Sequence, residues 1–293
     1  MAIAGNFPDP LELLYFQNSK QETDFHSHED YEIFYFHGSK CNYLIGDRIF
    51  NLAPGDLILM NGLTLHSPHL FDSEDYIRTV IHFDQGYFRE VLRTMGKDFL
   101  LEPFSSLQFY RFRLRGKEKK AIEQFFEKMH YYNTQKDPIS GYRMQIAFLD
   151  LLAHLYSFCR KPLEDNKEVL SEKEKNVQKV ISFIERRYQE ELTLEYIAQE
   201  LHLSKFYLSK IFREVTGLTI FNYLYQKRIN QARVEFLISE DISMTEVCYK
   251  LGFKYPSHFS KVFKSITGLT PQEYKKSLEA RKGSSRNKLE NNN

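Results

Sequence analysis

Tryptophan is absent from the 293 residues, cysteine occurs only 3 times, and no apolar run approaches the roughly 18 residues of a membrane-spanning helix. Cys41, Cys159 and Cys248 lie far apart, form no C-x-x-C pair and leave an odd one over, which argues against a disulfide framework or a zinc finger. Met1 to Asn6 has no basic start followed by an apolar stretch, so no secretory leader is expected. The chain is therefore expected to be soluble and cytoplasmic, with no membrane partner. No Ser-His-Asp order and no phosphate-cradling glycine loop occur, so no catalytic residue, no cofactor and no enzymatic activity are expected.

One sign of charge is not in excess either, since the net charge is +1, but the charges are unevenly placed. Residues 1–174 hold 20 Lys/Arg against 26 Asp/Glu, whereas residues 175–277 hold 16 against 11. An acidic front and a moderately basic back suit two domains, the second able to meet phosphate.

The front reads as short strands: Tyr31 to His37, Asn42 to Ile45, Ile49 to Leu52, Leu57 to Met60 and Tyr76 to Phe83, with turns at Gly46-Asp47 and Pro54-Gly55-Asp56. Such strands imply an antiparallel sandwich or barrel. Two helices follow. In the first, starting near Lys117, Ile122, Phe125, Phe126 and Met129 share a face. The second, Gly141 to Arg160, carries two stripes: Phe148, Leu151, Leu152 and Leu155 on one side, Ile146, Leu149, Ala153 and Tyr156 on the other. One stripe covers the barrel, and the other is met by a further helix of the chain or by a second copy, making a homodimer. Lys161 to Lys167 reads as a linker, Ser171 to Glu174 as a capping box opening the rear domain, and Ala280 to Asn293 as a polar, disordered tail. The expected domains are 1–165, 172–277 and a tail at 278–293.

The rear domain contains one unit twice. Leu203 to Thr219 is echoed by Phe253 to Thr270, at an offset of 50 before the turn and 51 after it. In the first copy Thr193 caps a helix ending at Leu201 and Ser204 caps the next, a helix-turn-helix pattern. Leu208, Ile211, Phe212 and Val215 are spaced to be buried, and Phe206, Ser209, Lys210 and Arg213 to be exposed. In the second copy Phe259, Val262, Phe263 and Ile266 point inward and Ser257, Ser260, Lys261 and Lys264 outward, with caps at Ser243 and Gly252 and Pro256 in the first turn. A stripe of cations, hydroxyls and an aromatic suits base edges and phosphates. Asn222 to Leu237 reads as one helix that sets the distance between the two readers.

Arg228-Ile229-Asn230-Gln231-Ala232, Gly252-Phe253, Phe259 to Lys264 and Thr267-Gly268-Leu269-Thr270-Pro271-Gln272-Glu273-Tyr274 together resemble the signature of AraC/XylS-type transcription regulators across about a hundred residues. The resemblance implies base-reading positions at Phe206, Ser209 and Lys210 in the first reader and Ser257, His258, Ser260 and Lys261 in the second. His202 stands where a glycine is frequent, and Tyr255 where a short capping side chain is usual.

In the front domain, His26-Ser27-His28-x-x-x-Glu32 with a later His66 resembles the ligand pattern of cupins, small barrels that form the sensor half of many such regulators. Asn61 and Leu63 replace the proline and glycine of the second cupin motif. Strand alternation would put His26, His28 and Glu32 on one face. These groups line a pocket for an organic ligand, or hold Zn²⁺, Mn²⁺ or Fe²⁺ together with His66, or are satisfied locally. Arg78 and His82, two alternations apart, join them if that face is inward, and Tyr43 is a further candidate for stacking on a sugar.

The expected fold is thus α+β in two domains: an antiparallel, cupin-like barrel with appended helices, and an all-α domain with two helix-turn-helix units joined by a helix. The resemblance implies a sequence-specific transcription activator that binds double-stranded promoter DNA, engages RNA polymerase and responds to a small-molecule effector, a sugar being the leading class. The rivals are a metal-dependent cupin enzyme with a DNA-localising domain and an effector-independent DNA-binding protein.

Overall fold

A computed structural model describes residues 9–18, 26–38, 41–69, 76–105, 109–135, 137–160, 170–239 and 241–278. The expected linker and polar tail lie outside the described residues, apart from Leu278. The chain divides into two units, Met1–Val169 and Leu170–Asn293.

The front unit is built on strands β1 (Leu11–Asn18), β2 (Tyr31–Phe36), β3 (Cys41–Ile45), β4 (Arg48–Leu52), β5 (Asp56–Asn61), β6 (His66–His69) and β7 (Ile77–Phe83), helices α1 (Gln85–Thr94) and α2 (Glu102–Ser105), strand β8 (Phe109–Arg113), and helices α3 (Gly116–Thr134) and α4 (Pro138–Cys159). All pairings are antiparallel, in a five-stranded sheet of order β1-β7-β2-β5-β8 and a three-stranded sheet of order β4-β3-β6. One face of the larger sheet, with Phe34, Phe36, Ile58, Met60 and Val80, shares an interior cluster with Tyr43, Ile45, Phe50 and Leu52 of the smaller sheet. The opposite face, with Ile33, Tyr35, Leu57, Leu59, Ile81 and Phe83, packs on α1, α3 and α4 through Phe88, Ile122, Phe126, Phe148 and Leu151. Burial on both faces explains why β2 and β5 are apolar at nearly every position.

The exceptions are Glu32 and the two ends of β5, and each has a partner. Asp56, wholly buried, accepts from Arg111 at 2.8 Å and Arg113 at 2.9 Å on β8, which anchors that edge strand. On α4, Phe148, Leu151, Leu152 and Leu155 enter the core as expected. The other stripe is only partly covered: Ile146 is 64% exposed and Ala153 is exposed, while Leu149 and Tyr156 are half-buried against the core, Tyr156 donating to Glu102 of α2 at 3.3 Å.

The rear unit comprises α5 (Glu172–Arg187), α6 (Leu194–Glu200), α7 (Lys205–Thr216), α8 (Ile220–Ile238), α9 (Met244–Lys250) and α10 (Pro256–Thr267), with residues 271–278 also helical. Both halves of the expected capping box at Ser171 and Glu174 are formed. Helix α8 has no single apolar stripe. It buries Tyr223, Leu224, Arg228, Ile229, Ala232 and Phe236 because α7 packs on one part of it and α9 and α10 on another.

Candidate functional site

In the rear unit Thr193 and Ser204 cap α6 and α7, and Ser243 caps α9 by accepting from the Glu246 amide at 3.1 Å. Tyr255 stands at the cap position of α10 without a side-chain hydrogen bond, and Pro256 opens the helix in its place. His202 takes a left-handed φ of 54° where Gly252, 50 residues on, has 81°. Helices α7 and α10 both end at left-handed glycines, Gly217 and Gly268, 51 residues apart. The two turns thus differ by one inserted residue.

Leu208, Ile211, Phe212 and Val215 are buried, as are Phe259 and Phe263, while Val262 and Ile266 are half-buried. On the opposite face Phe206, Ser209, Lys210 and Arg213 are exposed, and so are Ser257, His258, Lys261 and Lys264, with Ser260 half-buried. Phe206 is 81% exposed, an expensive place for an aromatic ring unless a partner covers it. His258 is held by edge contacts with Tyr225 and Phe253, 5.5 and 5.7 Å between ring centres. Lys210 lies 3.9 Å from Glu214, a carboxylate that also accepts from Lys173 at 2.8 Å.

Arg228 is the structural hub that sequence reasoning did not explain. Only 5% exposed, it donates through Nε to the Tyr188 carbonyl at 2.6 Å, through Nη1 to that of Gly252 at 2.9 Å and through Nη2 to that of Glu190 at 2.7 Å. It therefore ties the chain between α5 and α6 to the second turn. A β-carbon at Gly252 would lie 2.4 Å from the Gln189 carbonyl, so glycine is required there by space as well as by φ.

In the front unit Glu32 and His82 face the interior from neighbouring strands, paired directly in the β2–β7 register. His26 and His28 reach the same place by a different route from strand alternation. His26 forms an isolated bridge with His66, and residues 27–30 belong to no strand but bend the chain into β2. The His28 amide donates to the Gly62 carbonyl at 2.9 Å, and the Gly62 amide to that of Asp30 at 3.1 Å. A β-carbon on Gly62 would lie 2.1 Å from the Asp30 oxygen and 2.3 Å from the His28 ring, so this glycine lets the bend close. The Asn61-Gly62 dipeptide was the available signal for it.

Glu32 is buried, and its Oε2 lies 2.8 Å from His28 Nε2 and 3.3 Å from the Nε2 atoms of both His66 and His82. Behind the rings, His28 Nδ1 faces the Asp30 carbonyl at 3.1 Å, His66 Nδ1 that of Thr64 at 2.7 Å, and His82 Nδ1 the Glu12 carboxylate of β1 at 3.0 Å. Burial alone would raise the Glu32 pKa, but the charge of His66 and hydrogen bonds from the three rings hold it well below the usual carboxylate range. Burial would lower His82, yet Glu32 and Glu12 push it up to about 9. Glu12 was missed because only its pairing with His82 across the β1–β7 register brings it here.

Two other candidates stand apart from this carboxylate. Tyr43 is buried in the interior core against Phe34, its ring 6.4 Å from that of His66 and nearly parallel to it. Arg78 lies four residues along β7 from His82, roughly 13 Å at strand rise, with its guanidinium 4.7 Å over Tyr76. His26 is exposed at the rim, its ring 4.4 Å from that of His66.

Comparison with known proteins divides the chain in the same way. Residues 10–140 match the AraC-like ligand binding domain and residues 197–277 a helix-turn-helix domain. The chain is 29% identical over 235 residues to the uncharacterized HTH-type transcriptional regulator YisR of Bacillus subtilis, covering 78% of this chain and 79% of that one. It is 28% identical over 254 residues to the Msm operon regulatory protein of Streptococcus mutans, covering 86% of each. Among solved structures, ToxT from Vibrio cholerae aligns over 91% of this chain and 98% of its own at 16% identity and a TM-score of 0.38. No helix among the described residues is long and apolar enough to cross a membrane.

Proposed function

The chain belongs to the AraC family of DNA-binding transcription regulators, with a ligand-binding domain in front, and from that premise we propose that α7 and α10 read successive major grooves of promoter DNA under the control of an effector held in the front unit. Phe206, Ser209, Lys210 and Arg213 form one reading face, and Ser257, His258, Ser260, Lys261 and Lys264 the other. The observation that carries this reading is the repetition of the same exposed stripe on two helices that end at equivalent left-handed glycines.

The effector is a small hydroxylated molecule, a sugar being the leading class, and it meets His26, His28, Glu32, His66 and His82, with Tyr43 and Arg78 deeper along the interior. A buried carboxylate ringed by imidazoles supports that reading, since such groups both accept from and donate to hydroxyls. Family resemblance makes activation, and so contact with RNA polymerase, the expected direction. The exposed stripe of α4 suits a homodimer. A tenfold change in DNA affinity requires about 1.4 kcal/mol of coupling between effector and DNA.

Lys210→Ala and Lys261→Ala should each weaken binding to the cognate promoter by about 1–3 kcal/mol in quantitative gel-shift titrations. Unchanged affinity and site preference in both variants would reject the assigned reading faces. His28→Ala should abolish the response to effector in a reporter assay while leaving promoter binding by the purified chain in place. A full response would reject the sensing assignment.

A further inference from the structure

We infer that Glu214 sets how tightly α7 grips DNA: its carboxylate holds Lys210 back from the duplex, and Lys173 of α5 draws that carboxylate away. This role rests on the proposed place of Lys210 in a reading face. Glu214 acts through Lys210 and is therefore a positioning residue.

One carboxylate stands between two ammonium groups. Glu214 follows Lys210 by one turn of α7, with Oε1 3.9 Å from Lys210 Nζ, while Oε2 accepts from Lys173 Nζ at 2.8 Å. All three side chains are exposed. The hydrogen bond from Lys173, joined by the charges of Lys173 and Lys210, holds the Glu214 carboxyl below the usual carboxylate range, so it is ionised at neutral pH. A phosphate or base edge that approaches Lys210 must compete with Glu214 for the same ammonium, and a phosphate is itself repelled by the carboxylate. Lys173 offsets that charge and turns one oxygen toward α5. It is the second residue of α5, the first helix of the rear unit, which packs on α7.

The second reader is built differently at this point. Position 214 corresponds, 51 residues on, to Ser265, and α10 carries no acidic residue along its length. In α7, Lys205 pairs with Glu195 of α6 at 2.6 Å and Lys210 faces Glu214, which leaves Arg213 as the cation of that helix turned to neither. Lys261 and Lys264 of α10 have no carboxylate on their own helix to share. The repeat therefore copies the exposed stripe but not its charge balance. The grip of α10 is fixed, whereas that of α7 depends on which lysine Glu214 serves.

The test uses the full-length chain and a duplex that it selects from a random pool, titrated by fluorescence anisotropy over a range of salt. Glu214→Gln should raise affinity by about 2–5-fold, the scale of an exposed ion pair. It should also steepen the fall of affinity with salt by at most one phosphate's worth, a slope of about 0.9. Lys173→Gln should lower affinity by a similar factor in the wild-type background and have little effect once Glu214 is glutamine. Melting curves of these exposed-site variants should overlay that of wild type, which separates control of Lys210 from loss of fold. No gain in Glu214→Gln would overturn the role, and so would an equal loss from Lys173→Gln in both backgrounds, the result of direct phosphate contact by Lys173. Lys210→Ala keeps the two readings apart: unchanged affinity there rejects the reading face itself, whereas a loss there beside an inert Glu214→Gln rejects Glu214 alone. A chain that selects no duplex rejects both.

Discussion

Replacing Arg228 with alanine should cripple the rear unit although the side chain touches no reading face. Hydrogen bonds from a charged donor are worth about 1.5–3 kcal/mol each, so its three contacts to Tyr188, Glu190 and Gly252 represent about 4.5–9 kcal/mol in gross terms. Part of that returns in the variant, because water can reach some of the freed carbonyls and because burial of the guanidinium, which pulls its pKa down, no longer has to be overcome. A net loss of about 3–5 kcal/mol remains. In the full chain, the helical signal of the rear unit should melt more than ~10 °C lower. Arg228→Lys should recover only part, since one ammonium cannot span three carbonyls set around a planar fork. Specific DNA affinity of Arg228→Lys, measured well below its midpoint, should also fall, because the second turn loses its tie to the chain before α6. A melting curve for Arg228→Ala within ~1 kcal/mol of wild type would refute the reasoning.

Gly252→Ala strikes the same junction and should destabilise the rear unit in denaturant titrations, through both a left-handed φ and contact with the Gln189 carbonyl. Gly62→Ala should open the bend that seats His28 and so abolish effector response in a reporter assay while promoter binding persists; a normal response would mean the bend tolerates a side chain. His37 donates or accepts at Thr79, and burial, with help from Lys119, lowers its pKa to about 4. Its folded value is depressed, so its contribution is full above about pH 6.5 and is lost as pH falls toward 4. The acid-induced drop in melting temperature of the front unit should therefore be smaller in His37→Gln, and an identical drop would sink this assignment.

What could be read from the chain followed the range of the forces involved. The paired helix-turn-helix units were legible nearly to the residue, including the change of offset from 50 to 51, because caps, left-handed glycines and 3.6-residue periodicity are local signals. The strands β1, β6 and β8 were not. His66-Ser67-Pro68-His69 carries a proline and little β-propensity, and Phe109 to Arg113 alternates aromatics with arginines whose partner, Asp56, lies far back in sequence. In the front unit residue types pointed to Glu32 and its histidines, but their arrangement depended on contacts across strands. His82 joined through register and Glu12 through an edge strand that sequence periodicity did not reveal.

Helix α8 acts as a phase gauge. One residue added to it would turn everything beyond by about 100° and advance it only ~1.5 Å, whereas one base pair added between two half-sites turns the duplex by roughly 35° and advances it ~3.4 Å. No single insertion in one polymer compensates a single insertion in the other. On the proposed reading, the length Ile220–Ile238 and the operator's internal spacing are therefore locked together, and relatives sharing this rod should drift in which bases they prefer far sooner than in how far apart those bases lie.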